Sequence, residues 1–257
     1  MPHAKVAKLC RSESRVMDIH TYLKSIPPHL PLLQFLFSSD PPEVILDIGA
    51  CEGEDSIRYK RLFPQAKIIA FEPNSSNVEK LKRNLRNFDC AGIEVMPYAL
   101  SSSNGTAELH LSSGNPEGFP ESTDWDYGNK SSSLLRPSAL MSRFHSWLRF
   151  DTKGSVQTRR LDSVLTDLGI TTVDFIHMDV QGAELMVLEG SVEVLPSVAC
   201  IWLEVGTDAI YEDQPSAEKT QDFLEGFGFI RMLEVLTQGS GDHFYINPQR
   251  LKAVKTR

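Results

Sequence analysis

Three acidic residues that close short apolar runs are the side chains in this sequence best placed to do chemistry. Asp47, Glu72 and Asp179 each stand at or near the end of such a run. Neighbouring strands of a parallel sheet end at the same edge, so we expect these carboxylates to face one crevice. Glu72 would there accept hydrogen bonds from two ribose hydroxyl groups, and its alternative role is to favour the start of the following helix.

A glycine turn follows the first of these runs. Residues 44–53 read Val-Ile-Leu-Asp-Ile-Gly-Ala-Cys-Glu-Gly, so a buried strand breaks into a turn at Gly49. Glycine at positions 49 and 53 lets a nucleotide-like ligand approach the main-chain N–H groups. The turn is not a phosphate loop, because Glu54 and Asp55 follow Gly53 where lysine is required, and it lacks the G-x-G-x-x-G of a dinucleotide fold.

The acidic residues around this turn indicate the charge of its ligand. The pattern Asp-x-Gly-x-x-x-Gly with nearby carboxylates suits a cationic sulfonium better than a pyrophosphate. It resembles motif I of S-adenosylmethionine-dependent methyltransferases, and the alternative is an ordinary strand-to-helix turn of an α/β sheet. The occurrence of Asp47 and Glu72 at consecutive strand ends favours a cofactor site.

Alternating strands and helices position these residues. An antiparallel pair, residues 229–236 and 243–246, closes the chain after five strand–helix units. This order predicts an α/β, Rossmann-like fold with a mostly parallel sheet and a C-terminal antiparallel hairpin. The Asn104-Gly105 pair predicts a further hairpin turn before a short strand. The predicted parallel strands are residues 44–46, 67–71, 93–100, 173–179 and 198–205.

The alternation of strands and helices spans the predicted main domain, residues 43–248. One segment precedes this domain, and another interrupts it. Residues 1–42 are predicted to be a helical N-terminal extension, because Ile19, Tyr22, Leu23 and Ile26 share one helix face. We expect the extension to pack on the sheet edge, with a cap over the active site or a dimer contact as alternatives. Residues 112–155 predict an acceptor-binding lid or, alternatively, a poorly ordered surface insertion. Residues 249–257 are a predicted C-terminal tail.

The composition limits the partners. The 257 residues include 26 Lys and Arg against 34 Asp and Glu, a formal charge of −8, so a groove for a nucleic acid is not expected. Cys10, Cys51, Cys90 and Cys200 show no C-x-x-C pair, which predicts reduced thiols in a cytoplasmic protein. Without a signal-peptide h-region or a long apolar run, neither secretion nor membrane insertion is expected.

Several blocks, in this order, resemble the FkbM-type methyltransferases. They are residues 46–53, 71–74, 99–101, 104–106, 178–184 and 187–190, and the likeness covers roughly residues 43–248. It implies a class I methyltransferase sandwich with a seven-stranded sheet, S-adenosylmethionine as methyl donor, and mostly O-methylation of sugars or other small natural products. Cys51 stands where the family often has asparagine. The implied cofactor-binding residues are Asp47, Gly49, Ala50, Cys51, Glu52, Gly53, Ser56, Glu72, Pro73, Asn74, Ala99, Leu100 and Asp179.

The reacting end has three candidate catalytic residues. Asp179 is the first, because its strand ends beside the central turn. Glu184 is the second, one turn into the next predicted helix, and its alternative roles are helix capping and a surface ion pair. His177 shares a strand face with Asp179 and is otherwise a core histidine. His145 in the lid and His243 in the closing strand are further alternatives.

Other activities and partners remain as alternatives. A divalent ion held by Asp179, Glu204 and His243 is one, but strand-end carboxylates are common without metals and we do not expect it. The rival functions are an N-methyltransferase or RNA methyltransferase, a non-catalytic adenosyl-binding module and a nicotinamide enzyme. The Asn/Asp-Pro-Pro-aromatic motif of many N-methylating enzymes is absent after the fourth strand. A homo-oligomer could form through the N-terminal extension.

Overall fold

A seven-stranded sheet forms the centre of the structure, a computed structural model that describes residues 17–119, 125–236 and 240–254. The strands are β1 (Val44–Ile48), β2 (Lys67–Phe71), β3 (Glu94–Met96), β4 (Ala99–Leu100), β5 (Gly105–Ser113), β6 (Arg149–Arg159), β7 (Val173–Met178), β8 (Val198–Gly206), β9 (Ile230–Leu236) and β10 (Ser240–Ile246). The large sheet has the order β3-β2-β1-β7-β8-β10-β9. Its first five strands are parallel, and β10 runs antiparallel to β8 and β9. The predicted α/β fold with a C-terminal antiparallel hairpin is confirmed.

Helices cover both faces of this sheet. They are α1 (Ile19–Lys24), α2 (Leu30–Leu36), α3 (Glu54–Leu62), α4 (Ser75–Asn87), α5 (Ala139–Phe144), α6 (Leu161–Leu168), α7 (Glu184–Glu189), α8 (Ala217–Gly226) and α9 (Pro248–Val254). Apolar residues of α2, α3 and α4 pack in one cluster, and those of α6, α7 and α8 pack in another. Short 3₁₀ helices occupy Gly128–Ser131 and Leu195–Ser197.

The central strands send alternate side chains to these two clusters. Leu46 and Ile48 of β1 lie in the cluster of α6 to α8, whereas Ile45 lies in the cluster of α2 to α4. Successive side chains of a strand face opposite sides of the sheet, so Asp47 lies on the same side as Ile45. Its register partner in β7 is His177. The sheet therefore places these two polar side chains next to each other on one face.

The predicted third strand, residues 93–100, is divided in the structure. Proline has no N–H to donate to a ladder, and the main sheet ends at Met96, just before Pro97. Strand β4 then joins a second, three-stranded sheet of order β4-β6-β5, which was not predicted. The prediction of a hairpin turn at Asn104 is wrong, because β5 pairs with the distant β6 and not with β4. The carboxamide Oδ1 of Asn104 instead accepts the Arg160 N–H at 2.7 Å.

The N-terminal helices pack on a face of the sheet and not on its edge, which corrects the prediction. Leu33 of α2 is fully buried in the cluster that includes Trp202 of β8. Arg58 of α3 donates a hydrogen bond to the Tyr22 carbonyl at 3.1 Å and so ties α1 to α3. Ile26 is 76% exposed because α1 ends at Lys24, before the predicted apolar face is complete.

Some predictions fall outside the described residues. They concern residues 1–16, with Cys10 among them, residues 120–124 of the predicted lid, the turn at 237–239 and residues 255–257. The expected C-terminal tail begins instead with helix α9. Within the described ranges, no helix combines the length and the apolar character that crossing a bilayer requires.

Candidate active site

A first cavity opens at the carboxyl-terminal ends of β1, β2 and β7. Glu72 and Pro73 after β2, Gly49 and Cys51 after β1, and Asp179 after β7 line it. Its other lining residues are mostly apolar or uncharged: Ile48, Phe71, Asn77, Tyr98, Ala99, Leu100, Leu109, Asn129, Lys130, Ser132, Ser133, Leu134, Val180, Gln181 and Ala183. The three strand ends identified from the sequence therefore meet in one place.

Glu72 has two main-chain donors in this cavity. Its Oε2 accepts the Cys51 N–H at 2.9 Å, and its Oε1 accepts the Asn74 N–H at 2.8 Å. Burial raises the pKa of Glu72 to about 7, although both N–H groups oppose that shift. A carboxylate oxygen can accept more than one hydrogen bond, so capacity for hydroxyl donors of a ligand remains.

The turn after β1 requires glycine because two backbone segments come close together. A Cβ at Gly49 would lie 1.8 Å from the carbonyl oxygen of Asp179, and the φ of Gly49 is +88°. The N–H groups of Gly49 and Ala50 both donate to the Phe71 carbonyl, at 3.0 and 2.9 Å. Cys51 has a φ of 47°, which is uncommon for a residue with a side chain. The turn is thus held against both β2 and the end of β7.

A second cavity adjoins the first. Four lining residues are common to both cavities: Gly49, Cys51, Lys130 and Asp179. The remaining lining residues of the second cavity are Tyr22, Asp47, Ala50, Glu54, Asp55, Trp125 and His177. The two spaces meet at the glycine turn, so a ligand extending from one into the other would pass these shared residues.

His177 is a charged partner of Asp47 in the second cavity. Its Nδ1 lies 3.2 Å from Oδ1 of Asp47, and the other carboxylate oxygen of Asp47 accepts the Ser56 hydroxyl. Burial lowers the pKa of His177, but the adjacent carboxylates of Asp47 and Asp55 outweigh burial and raise the pKa to about 9. His177 is therefore an imidazolium at neutral pH.

Asp179 belongs to an acidic cluster at the end of β7. Gln181 donates through Nε2 to Oδ1 of Asp179 at 2.6 Å and to Oε2 of Glu204 at 2.9 Å. Glu184 accepts the N–H groups of Val180 and Gly182, and burial raises the pKa of Glu184 to about 7. One oxygen from each of Asp179, Glu184 and Glu204 lies within 4.8 Å of the others, a spacing compatible with a metal ion.

His243 does not join this cluster, so the structure does not bring together the alternative set of metal ligands, Asp179, Glu204 and His243. The pairing of β10 with β8 places His243 opposite Leu203, and Asp242 opposite Glu204. Adjacent positions of a strand face opposite sides, so His243 lies on the other face, with Nδ1 2.9 Å from the Tyr245 hydroxyl. Asp242, which the sequence analysis missed, lies near the acids instead. Burial and the charge of Asp179 raise the pKa of Asp242 to about 6.

The insertion between β5 and β6 attaches to the glycine turn through polar side chains. Asn129 donates through Nδ2 to Glu52 and to Asn77, each at 2.8 Å. Lys80 of α4 binds Glu52 at 3.0 Å and Asp126 at 2.8 Å. These contacts were not predictable from the sequence, because residues 126–130 have no periodic pattern and their partners lie more than 45 positions away.

Several predicted site residues line neither cavity. Glu52 is buried in the contacts with Asn129 and Lys80. Ser56 donates to Asp47, and Asn74 caps α4 by accepting the Ser76 N–H. Gly53, Glu184 and His145 also lie outside both linings. Of these, Ser56 acts on the site through Asp47, and Glu184 shapes the turn after β7.

The residues present fit an adenosyl sulfonium. The first cavity offers the Glu72 carboxylate beside apolar walls, and the second has Asp47, Asp55 and Asp179 around it. Carboxylates suit the ribose hydroxyls and the positive charges of such a ligand. The strand order, the glycine turn and the acid ending β2 together define an S-adenosylmethionine-dependent methyltransferase.

Comparison with known proteins identifies the family. The family model for the methyltransferase FkbM domain matches residues 47–231. The chain belongs to this family, which confirms the resemblance seen in the sequence, the enzyme class and S-adenosylmethionine as its cofactor.

Two curated relatives and one solved structure illustrate the similarity. The chain is 33% identical over 206 residues to the 2-O-methyltransferase NoeI of Sinorhizobium fredii, covering 80% of each protein. It is 35% identical over 158 residues to the methyltransferase sdnD of Sordaria araneosa, covering 57% of this chain and 59% of that protein. The structure of a magnesium protoporphyrin IX methyltransferase from Synechocystis, with S-adenosylmethionine bound, aligns over 95% of this chain and 91% of that chain, with 10% identity and a TM-score of 0.47. The family assignment rests on the family model and the first relative.

Proposed function

We propose that this protein transfers a methyl group from S-adenosylmethionine to a hydroxyl group of a sugar or another small natural product. The observation that carries the proposal is the pair of adjoining cavities that share Gly49, Cys51, Lys130 and Asp179. One cavity can take a nucleoside, and the other leaves room for an acceptor beside Asp179. The name of the relative NoeI, a 2-O-methyltransferase, supports oxygen as the methylated atom.

The adenosyl group belongs in the first cavity under this proposal. Glu72 accepts hydrogen bonds from the ribose hydroxyls, and Gly49 lines the cavity where the turn meets the end of β7. Tyr98, Ala99 and Leu100 lie beside the adenine ring, because they line the same cavity at the divided third strand. The buried Glu72 carboxylate beside apolar walls is the feature that selects this ligand.

The acceptor belongs in the second cavity. The rings of Tyr22 and Trp125 lie with their centroids 5.3 Å apart, one from the N-terminal extension and one from the insertion. Aromatic faces provide flat apolar surface, and the carboxylates of Asp55 and Glu54 accept hydrogen bonds from hydroxyl groups. Such a wall suits a sugar ring, and the insertion of residues 112–155 then acts as the acceptor-binding lid.

The chain contributes mainly by positioning. The cofactor supplies an electrophilic methyl group on a sulfonium. Holding two reactants in line can contribute ~7 to 11 kcal/mol, and a general base contributes a factor of roughly 10² to 10⁴. Asp179 borders both cavities and receives the hydroxyl proton of the acceptor. His177 cannot do so at neutral pH, because its pKa of about 9 keeps it protonated; it holds Asp47 in place.

The test is a transfer assay. The enzyme is incubated with methyl-labelled S-adenosylmethionine and a panel of methyl glycosides and hydroxylated natural products, and the label position is found by NMR. We expect an O-methyl product. Transfer only to amines would favour the N-methyltransferase alternative, and cofactor binding without transfer to any acceptor would favour the adenosyl-binding module.

The partners and location follow the same proposal. The formal charge of −8 supports a small-molecule acceptor over a nucleic acid. Cys51, Cys90 and Cys200 are free thiols, as in a cytoplasmic protein. A homo-oligomer through the N-terminal extension would bring two copies of α1 together, and sedimentation of the full-length protein over a range of concentrations tests for it.

A further inference from the structure

We propose that Lys130, which the insertion between β5 and β6 contributes, binds the α-carboxylate in the methionine portion of the cofactor. The inference rests on the proposed placement of the adenosyl group in the first cavity. It assigns to the insertion a role in cofactor recognition as well as in covering the acceptor.

Lys130 lines both cavities and lies at their junction, together with Gly49, Cys51 and Asp179. A cofactor whose nucleoside fills the first cavity must send its amino-acid chain across this junction. That chain ends in one carboxylate and one ammonium group, so it needs a cation and an anion within reach of the junction.

Two cationic residues line the second cavity and could bind a carboxylate, Lys130 and His177. His177 lies 3.2 Å from Asp47 and is compensated by it and by the charge of Asp55. Lys130 has three N–H donors, and the contact with Glu54 uses one of them. Its ammonium lies 4.0 Å from the ring centroid of Trp125 and 3.9 Å from Sγ of Cys51, which is a weak acceptor.

The opposite charges in the second cavity complete the match. Asp47, Asp55 and Asp179 line it together with Lys130. A zwitterionic amino acid fits the part of this cavity at the shared residues, where Lys130 supplies a cation and Asp179 a carboxylate. The part beside Tyr22 and Asp55 is then left for the acceptor. To bind a carboxylate there, the Lys130 side chain must be held in place. Its contacts with Glu54, Cys51 and Trp125 hold it.

The contacts of the adjacent residue hold Lys130 in position. Asn129 binds Glu52 and Asn77 at 2.8 Å, and its main-chain N–H donates to the Asp126 side chain at 3.3 Å. Polar groups that are fixed before binding lose less entropy when the ligand arrives. The same network therefore presents the lysine at the junction and secures the insertion over the cofactor.

The test compares two ligands that differ only at the amino-acid end. S-adenosylhomocysteine has the carboxylate, and 5′-methylthioadenosine lacks it. Calorimetry is performed with the full-length wild-type protein and with K130Q, K130R and K153Q, the last being an exposed lysine of β6 that pairs with Glu108. We expect K130Q to bind S-adenosylhomocysteine about ten- to hundred-fold more weakly and 5′-methylthioadenosine within about twofold of wild type. K130R should recover most of the affinity, and K153Q should match wild type.

Other outcomes would overturn the inference. Unchanged affinity of K130Q for S-adenosylhomocysteine, or an equal loss for both ligands, would show that Lys130 does not bind the carboxylate. Because K130Q leaves Glu54 without its cation, a K130Q/E54Q variant and thermal melting check the fold. E72Q distinguishes the underlying placement: if it does not weaken 5′-methylthioadenosine, the nucleoside is not in the first cavity and both proposals fail.

Discussion

The Nδ1 atom of His177 lies 3.2 Å from Oδ1 of Asp47, across the β1 and β7 register that pairs these two residues. The pair links two strand ends below the glycine turn. Burial opposes the charge of His177, and the adjacent carboxylates of Asp47 and Asp55 outweigh burial. The charge of this histidine is therefore part of what holds the second cavity together.

The stability of the fold should depend on pH through His177. Its pKa rises from an ordinary 6.5 to about 9 on folding, so the stabilisation, ~3 kcal/mol, is complete below pH 6.5 and is lost as the pH rises through 9. Urea unfolding of wild type and H177Q between pH 6 and 10 measures it. The difference in free energy of unfolding should shrink over that window. The exposed His20 supplies the control H20Q, and a constant difference for H177Q would contradict the assignment.

Cofactor affinity should rise with pH through Glu72. The pKa of Glu72 in the free protein is about 7, and ribose hydroxyls that donate to the carboxylate favour its ionised form. Binding then releases a proton, so the affinity for S-adenosylhomocysteine should increase from pH 5.5 to 7 and level off above. Calorimetry of wild type and E72Q tests this. E72Q should bind roughly ten- to hundred-fold more weakly at pH 8 and show little pH dependence; equal affinity would refute the ribose contact.

Replacing Asp179 by asparagine should affect turnover more than binding. The carboxylate borders both cavities, and D179N keeps its size while removing the proton acceptor. We expect kcat to fall roughly hundred-fold or more, with the Kd for S-adenosylhomocysteine within about threefold. D208N, an exposed aspartate after β8, is the control. The reverse pattern would make Asp179 a cofactor-binding residue.

Gly49 should tolerate no side chain. A Cβ there would meet the Asp179 carbonyl oxygen at 1.8 Å, and the φ of +88° already disfavours other residues. G49A should lower the free energy of unfolding by about 2 kcal/mol or more and weaken cofactor binding. G92A is the matched control, since a Cβ at Gly92 meets nothing within 4 Å. Equal stability of the two variants, measured by urea unfolding, would argue against the close approach.

Methyl transfer should persist after metal removal. Asp179 and Glu204 share the Gln181 amide, and Glu184 accepts two main-chain N–H groups, so these carboxylates already have donors that a cation would have to replace. Activity after dialysis against EDTA should equal that of the untreated enzyme. A loss of activity that magnesium restores, and that E204Q reproduces, would establish a metal site.

The strand ends were predictable, and the walls of the cavities were not. Asp47, Glu72 and Asp179 follow local apolar runs, and the structure gathers all three around the glycine turn. Tyr22 reaches the same place from the predicted N-terminal helix, and Lys130 from a segment without a regular pattern. Their contacts join distant positions, such as Tyr22 with Asp55 at 2.7 Å and Lys130 with Cys51 at 3.9 Å. Such pairs leave no trace in local spacing.

His243 shows the same limit at a single strand. Its residue type and place near a strand end suggested a metal ligand, but its side depends on the register between β10 and β8. A shift of one residue exchanges the two faces of a strand, and the register is fixed by packing across the whole sheet. Asp242 therefore faces the acids, and its neighbour His243 does not.

The sequence alone determined the alternation of strands and helices, the glycine turn and the acids that end the strands. Each of these follows from side-chain periodicity or from backbone freedom within a few residues. The tertiary structure decided which acids face a cavity and which bind partners within the protein, as Glu52 binds Lys80 and Asn129. It also decided which residue of the insertion lies at the junction of the two cavities. Those outcomes depend on long-range contacts, which form only when the sheet, the extension and the insertion have packed together.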